Sequence, residues 1–310
     1  MEWLGLVVLV ALLIGSLLST AGLLRFGVTL PGTILERLVC AVRLSQDCRS
    51  EPKLKRAYGD DTAALLRAHA PTILYEEGMS ALPIDYRRCR RDDCAAGGGG
   101  AVSRSSSGEP VTAFTHVIDC RPGAAAATEE RGADCSGARR GNLYLQYWFY
   151  YPGSATAEGS TPLKGAIRRG SAAVGRPSYH PDDWESLQLR VGPSGRYARA
   201  SSHHSYSYEL GGAGLIPGYR LRRLGDGRLT LRRKPRVVNG WGPDLGTLYV
   251  SGGSHAGNAR VNRVVSRATK SGRIRLIPLD RIAAEDSTTF AVTPPWRKRV
   301  FLDPEYAGTG

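Results

Sequence analysis

The 310-residue chain predicts an all-β protein, a jelly-roll-like β-sandwich with long Gly-rich loops, preceded by an N-terminal transmembrane helix. Three observations carry this reading. Short alternating or wholly apolar segments recur along the chain, separated by stretches rich in Gly, Ser and Pro. Few stretches carry helical start and stop signals. Residues 3–24 are apolar and uncharged, and at about 1.5 Å rise per residue such a run spans a bilayer. With 42% apolar content, the rest can bury one sizeable core. The expected organisation is an anchor over 1–25, a membrane-proximal helical segment over 26–69 and the β-sandwich over 70–310.

The anchor run ends at Arg25. A cleaved secretory signal is the alternative, and the missing basic n-region argues against it. Arg25, Arg37 and Arg43 follow the run, which by the positive-inside rule would hold the body in the cytoplasm. The cysteines argue the other way. Cys40/Cys48, Cys89/Cys94 and Cys120/Cys135 fall as three local pairs, as in disulfide-clipped loops outside the cytoplasm. Metal ligation is the rival reading, and it lacks any Cys-x-x-Cys spacing. The expected placement is the cell membrane, single-pass, with the C-terminal body extracytoplasmic.

Pro31 to Arg43 reads as an amphipathic helix. Asp60-Asp61-Thr62 supplies capping side chains for a helix through His69, which is expected at the surface, and the helix stops before Pro71. Pro71–Tyr75 reads as a first strand, Ala81–Tyr86 as extended, Ala95–Gly108 as a loop and Val111–Cys120 as a strand. Gly123–Arg140 is a polar excursion closed by Cys120 and Cys135. Leu143–Tyr151 is apolar or aromatic on both alternating faces, which predicts a central strand covered on both sides. A long Gly/Ser/Ala connection over 153–179 then leads to His180. Arg196–Ser202 pairs back on the strand after it. Segments 219–224 and 228–233 flank Gly225-Asp226-Gly227, a hairpin with a basic stripe. Thr247–Val250, Arg273–Ile277 and Arg299–Leu302 read as further strands.

The chemistry concentrates at Tyr179-His180-Pro181-Asp182-Asp183-Trp184-Glu185. From Trp184 onward the pattern alternates, so Glu185, Leu187, Leu189 and Val191 share a face, which Asp183 extends backwards. Two carboxylates on an apolar face must be paired, protonated or bound to a cation. His180, Asp183 and Glu185 are therefore the candidate metal ligands, for Mg, Ca or Mn ahead of Zn. A polar network built on the same side chains is the competing reading. A metal-bound water with Glu185 as base would make a hydrolase. No Gly-x-Ser-x-Gly elbow, His-Glu-x-x-His motif or phosphate loop is present. Whether the chain is an enzyme stays open.

Three blocks, Leu143 to Pro152, His180 to Val191 and Tyr249 to Ala256, are similar to the family named for vacuolar protein sorting-associated protein sixty-two, across about residues 70–305. More distantly, an aromatic strand followed by His-x-x-Asp-Trp-Glu resembles the heptapeptide region of necrosis-inducing cytolysin-like proteins. That likeness implies a β-sandwich with an acidic, divalent-cation pocket used in membrane-lipid recognition. By position it implies His180, Asp183 and Glu185 in the pocket, with His203 or His204 beside them. His255, with Ser254, lies in the block shared with the vacuolar-sorting relatives, and these four are the candidate ligand-binding residues. Where the cytolysins place an acid after the aromatic strand's proline, this chain has Gly153 and Ser154. Glu2 to Leu9 resembles the opening of Flp-type (Tad) pilins, which implies a pilus or surface assembly.

The net charge of +14 suggests an anionic partner, lipid headgroups or a cell-envelope polymer, and an arginine-rich proteome would produce the same excess. Nucleic acid is not the partner expected of an exported domain. The expected function is binding of an anionic envelope lipid or glycan by a membrane-anchored extracytoplasmic protein, through a divalent cation pocket. Alternatives are a metal-dependent hydrolase of envelope phosphoesters or glycosides, and a structural, pilin-like component.

Overall fold

The structure is a computed structural model. It describes residues 47–77, 79, 81–97, 100–155, 179–203, 206–208, 219–223, 229–233, 241–244, 246–250, 252–253, 255–258, 265–279 and 287–306. The expected anchor over 1–25, the helix over 31–43, Cys40, most of the 153–179 connection, the Gly225-Asp226-Gly227 turn, His204 and Ser254 lie outside them. Among the described residues, no helix is long and apolar enough to cross a membrane.

The described residues are mostly β, in two main sheets with few helices. The larger sheet runs β10 (Gly242–Pro243), β6 (Tyr197–His203), β5 (Tyr179–Val191), β4 (Leu143–Ala155), β3 (Thr112–Asp119) and β14 (Arg275–Pro278), with β7 (Tyr206–Tyr208) on β6. The smaller runs β12 (Gly257–Asn258), β11 (Thr247–Val250), β1 (Thr72–Glu76), β13 (Val265–Thr269) and β2 (Gly100–Ala101). Strands β8 (Tyr219–Arg223) and β9 (Leu229–Arg233) form the expected hairpin, with Arg220 opposite Arg232. The sheets are mixed, because β1 with β11, β2 with β13 and β3 with β14 pair in parallel.

Strand β4 is central, as its two apolar faces require. It pairs with β3 on one side and with β5 from Leu143↔Val191 to Ala155↔Tyr179 on the other. Its odd-numbered residues, such as Tyr147 and Phe149, share one apolar cluster with Leu187 and Leu189 of β5 and with Ile73 and Val250 of the smaller sheet. Its even-numbered residues Trp148 and Tyr150 face the other way, into a second cluster with Phe114, Trp184 and Phe301. Burial of aromatic side chains on this scale is the main stabilising term, and truncating one costs about 3–5 kcal/mol.

Helices α1 (Asp47–Tyr58) and α2 (Asp60–Ala68) contribute Leu54, Ala63 and Leu66 to the first cluster, so they pack on the sheets directly. Tyr147 donates from its hydroxyl to the Leu66 carbonyl at 2.8 Å, and Tyr58 does the same to Thr115 at 2.6 Å. Short helices α3 (Asp92–Ala95) and α4 (Ala125–Glu129) sit in loops that close at Cys89–Cys94 and Cys120–Cys135. Two of the three expected cysteine pairs are thus disulfides.

Three local expectations are corrected. Gly59 occupies the N-cap of α2 at φ 79°, and no side chain caps it. Asp60 and Asp61 sit in the first turn instead, where carboxylates still favour the positive end of the helix dipole. His69, expected at the surface, is half-buried: its ring leans on Tyr197 at 4.5 Å between centroids and 31° between planes, and Nδ1 lies 3.4 Å from Asp244. Residues Arg299–Leu302, expected as a strand, form helix α5, which follows Pro294 and Pro295. Consecutive Val300 and Phe301 are both buried, which a helix lying across the outer face of the larger sheet allows.

Candidate functional site

Strand β5 has two halves. From Ser186 to Val191 it is flanked by β6, but the pairing starts only at Ser186↔Ser202, so residues 179–185 form an edge against which the C-terminal segment lies. There the chain opens a cavity of about 290 Å³ lined by His180, Asp183, Trp184, Glu185, Ala291, Val292, Thr293 and Lys298. All three residues singled out as metal ligands therefore border one space. They do not converge as ligands. Among the described residues the one group of three ligand atoms within 4.8 Å is Cys89, Asp93 and Cys94, and there both cysteines are already bonded to each other.

Each side chain has a definite placement. His180 points Nδ1 at backbone oxygen, 2.9 Å from the Asp182 carbonyl, and thus donates there. Asp183, buried, accepts from His255 Nδ1 at 2.9 Å. The His255 ring lies parallel to Tyr151, 4.0 Å between centroids and 7° between planes. Its Nδ1 proton is committed to a carboxylate, so Nε2 is the acceptor nitrogen of the neutral ring. Glu185 is also buried, and Phe149 stands opposite it across the ladder. His203 ends β6; His204 and Ser254 cannot be placed beside it, lying outside the described residues.

Two of the site's organising residues sit in the left-handed backbone region that non-glycine residues seldom adopt, Asp182 at φ 57° and His255 at φ 52°. Asp182 lies in the strand register opposite Pro152, which has no N–H to give, so the ladder is interrupted where the backbone turns over. Alternation along the strand puts Asp182 on the outer face with Trp184 and Asp183 on the inner one. There Asp182 accepts from the Tyr150 hydroxyl at 2.6 Å, from Arg90 Nη2 at 2.7 Å and from the Ala291 amide at 2.8 Å. Arg90 in turn donates to the Thr289 carbonyl at 2.9 Å and covers the Phe290 ring. The disulfide-closed loop and the C-terminal segment are thus both tied to the kink in β5. Glu76, at the end of β1, accepts from the Gly252 amide at 2.7 Å and holds the turn that delivers His255.

The sequence reading overlooked Lys298. It is buried, donates to the Trp184 carbonyl at 2.8 Å, and so caps an edge carbonyl of β5. Burial pushes its ammonium below the ordinary lysine value, and the charges of Glu185 and Asp183 push the other way. A lysine in a run of three basic residues after Trp296 carries no local signal of burial; only the packing of α5 discloses it. Burial also holds the Tyr151 hydroxyl well above its ordinary value, with Tyr75, Asp183 and Glu185 adding to the effect. Chemically the cavity offers carboxylate acceptors, one ammonium and an indole wall. The fixed charges lining it besides His180 are two negative and one positive.

No protein-family model matches the chain, and no curated protein does; the vacuolar-sorting and pilin resemblances thus find no counterpart there. Solved structures of necrosis-inducing proteins do match. One described as "NLPPya in complex with mannosamine" is 14% identical, with a TM-score of 0.33 over 78% of this chain and 87% of that one. One described as "Toxin fold for microbial attack and plant defense" is 14% identical, with a TM-score of 0.35 over 81% and 92%. Necrosis and Ethylene inducing Protein 2 from the causal agent of cocoa's Witches Broom disease is 12% identical, with a TM-score of 0.24 over 71% and 87%. No residue role follows from likenesses of this size.

Proposed function

We propose that this chain is a membrane-anchored, extracytoplasmic protein with a jelly-roll-like sandwich body, which binds a hydroxyl-rich head group of an envelope glycan or glycolipid in the β5-edge cavity. The observation that carries this reading is that Asp183, Glu185 and Lys298 border one space at a sheet edge. Carboxylates accept hydrogen bonds from sugar hydroxyls, the ammonium donates to ring and hydroxyl oxygens, and Trp184 offers an apolar wall. The disulfides Cys89–Cys94 and Cys120–Cys135 support an oxidising compartment. The excess of 14 positive charges supports attraction of the chain as a whole to an anionic surface.

A divalent cation bridging Asp183 and Glu185 is the second reading, favoured by the two carboxylates on one cavity wall. Lys298 stands against it, because its ammonium already supplies positive charge to both acids.

Calorimetric titration of the full chain with mono- and disaccharides, and separately with Ca, Mg, Mn and Zn, tests both. The glycan reading expects saccharide binding that Glu185→Gln and Lys298→Gln each weaken about tenfold or more. Saccharide binding indifferent to both substitutions, or absent altogether, overturns it. Cation binding that Lys298→Gln strengthens and Asp183→Asn abolishes would establish the second reading.

A further inference from the structure

The two walls of the β5-edge cavity come from segments far apart in the chain. His180, Asp183 and Glu185 belong to β5, and Ala291, Val292 and Thr293 to the C-terminal segment. Among the described residues, 287–298 pair with no strand of either sheet. Polar side chains hold this wall in place instead.

Arg90 grips both walls at once. It donates to Asp182 on β5 from Nε at 3.2 Å and from Nη2 at 2.7 Å, and from Nη2 to the Thr289 carbonyl at 2.9 Å. Its guanidinium also lies over Phe290, 4.8 Å from the ring centroid. Asp182 completes the clasp by accepting from the Ala291 amide at 2.8 Å. A guanidinium is a rigid planar fork, so engaging acceptors on two segments fixes their spacing.

What positions Arg90 is covalent. It lies between Cys89 and Cys94, a separation of 5 closed by their disulfide. Among the described residues, its own backbone makes no backbone hydrogen bond. The flanks are held separately: the Cys89 amide donates to the Asp85 carbonyl at 3.3 Å, and Ser107 Oγ to the Cys94 carbonyl at 2.8 Å. Opening the bond therefore frees the residues between without undocking either flank. Of the two described disulfides it is also the one within reach of a reductant. Cys89 is half-buried, whereas Cys120 and Cys135 are 1% and 4% exposed.

We infer that Cys89–Cys94 is a redox latch on the β5-edge cavity, which holds the C-terminal wall for ligand only while the two cysteines are oxidised. In the closing step the two thiols reduce a small-molecule disulfide. One S–S bond forms between Cys89 and Cys94, the reagent's S–S bond breaks, and the two protons leave on its two thiols. A dithiol reverses the step. The latch sets the site in an oxidising compartment and releases it in a reducing one. The ligand it gates rests on the glycan reading; the movement of the wall does not.

The test is residue-resolved amide hydrogen exchange of the full chain, oxidised, dithiol-treated, and as the Cys89→Ser/Cys94→Ser variant. Alkylation mapping reports which cysteines the dithiol opens, and Cys89 and Cys94 are expected first. The Ala291 amide should exchange about tenfold faster once the bond is open, while the amides of β4 stay protected. Arg90→Gln, which keeps the disulfide, should show the same faster exchange and no further response to dithiol. An Ala291 amide indifferent to reduction overturns the proposal. So does acceleration shared equally by β4, which would mean that the bond merely stabilises the whole fold. Saccharide titration then reads the gating: affinity about tenfold lower in the double variant supports it, and equal affinity overturns it. If the oxidised chain binds no saccharide, the glycan reading fails, and Ala291 exchange still judges the latch.

Discussion

His255 donates to Asp183 across 2.9 Å while its ring lies flat on Tyr151, so a residue of the smaller sheet's turn fixes a carboxylate of the larger sheet. The pair joins the two sheets next to the cavity, which Asp183 lines. It also explains why an apolar strand face tolerates a carboxylate: the acid meets a donor held by aromatic stacking. Removing that donor leaves the charge buried. His255→Ala is expected to lower stability by about 2–4 kcal/mol. His255→Asn keeps a residue that tolerates the backbone angle and should lose less. Urea denaturation midpoints measure both, and equal losses would mean that backbone strain does not contribute.

Asp182 is the knot beneath the kink. Ala at this position removes the carboxylate that accepts from Tyr150, Arg90 and the Ala291 amide, and must still adopt φ 57°. Asp182→Ala should cost about 2–3 kcal/mol, mainly from leaving the buried Tyr150 hydroxyl and the Ala291 amide without their acceptor, since Arg90 is exposed enough to be solvated. Asp182→Asn retains an acceptor and accepts the angle, and about half that loss is expected. A circular-dichroism melt of the two variants checks the order; Asn as damaging as Ala would show that the charge, and not the geometry, matters.

The two disulfides should differ in worth. Cys120–Cys135 closes a 15-residue separation and Cys89–Cys94 a separation of 5. On loop-closure entropy their removal costs about 3 and about 2 kcal/mol respectively. Paired Cys→Ser variants, compared in guanidinium, read this difference directly. A larger loss at Cys89/Cys94 would place the stabilisation in the Arg90–Asp182 tether next to it rather than in chain entropy.

Alkali should unfold the protein through its tyrosines. Burial raises the hydroxyls of Tyr75, Tyr144, Tyr147, Tyr150 and Tyr151 above the ordinary value of 10.0. Their folded pKa values exceed the unfolded ones, so the contribution to stability is fully present below 10.0 and is lost as pH rises through that value toward the folded ones. The tyrosinate absorbance of these five is therefore expected to appear together with loss of ellipticity, after that of exposed tyrosines such as Tyr197. A smooth titration centred at the ordinary tyrosine value, with the fold intact, would refute this.

Much of this was legible locally. The alternation after Trp184 located the inner face of β5, and the two-sided aromatic character of 143–151 located the central strand, because side-chain period 2 follows from strand geometry alone. The pairing of cysteines at short separations was legible for the same reason of locality. What the local pattern missed were residues whose role depends on distant partners. Asp182 and Asp183 take opposite faces as strand neighbours must, yet the sequence does not disclose that the outer acid gathers Tyr150, Arg90 and the Ala291 amide.

By itself, then, the sequence determined the β class, the central strand, the sheet faces and the acidic stretch, since these rest on residue period and turn chemistry within a few positions. Only the tertiary structure decided which acid is tied to His255 and which to Arg90. Only it brought Lys298, more than a hundred residues downstream, against the Trp184 carbonyl. The physical reason is that a buried charge must find its counterpart wherever packing provides one. That counterpart is set by which segments the sheet edges recruit, and no spacing in the chain encodes it.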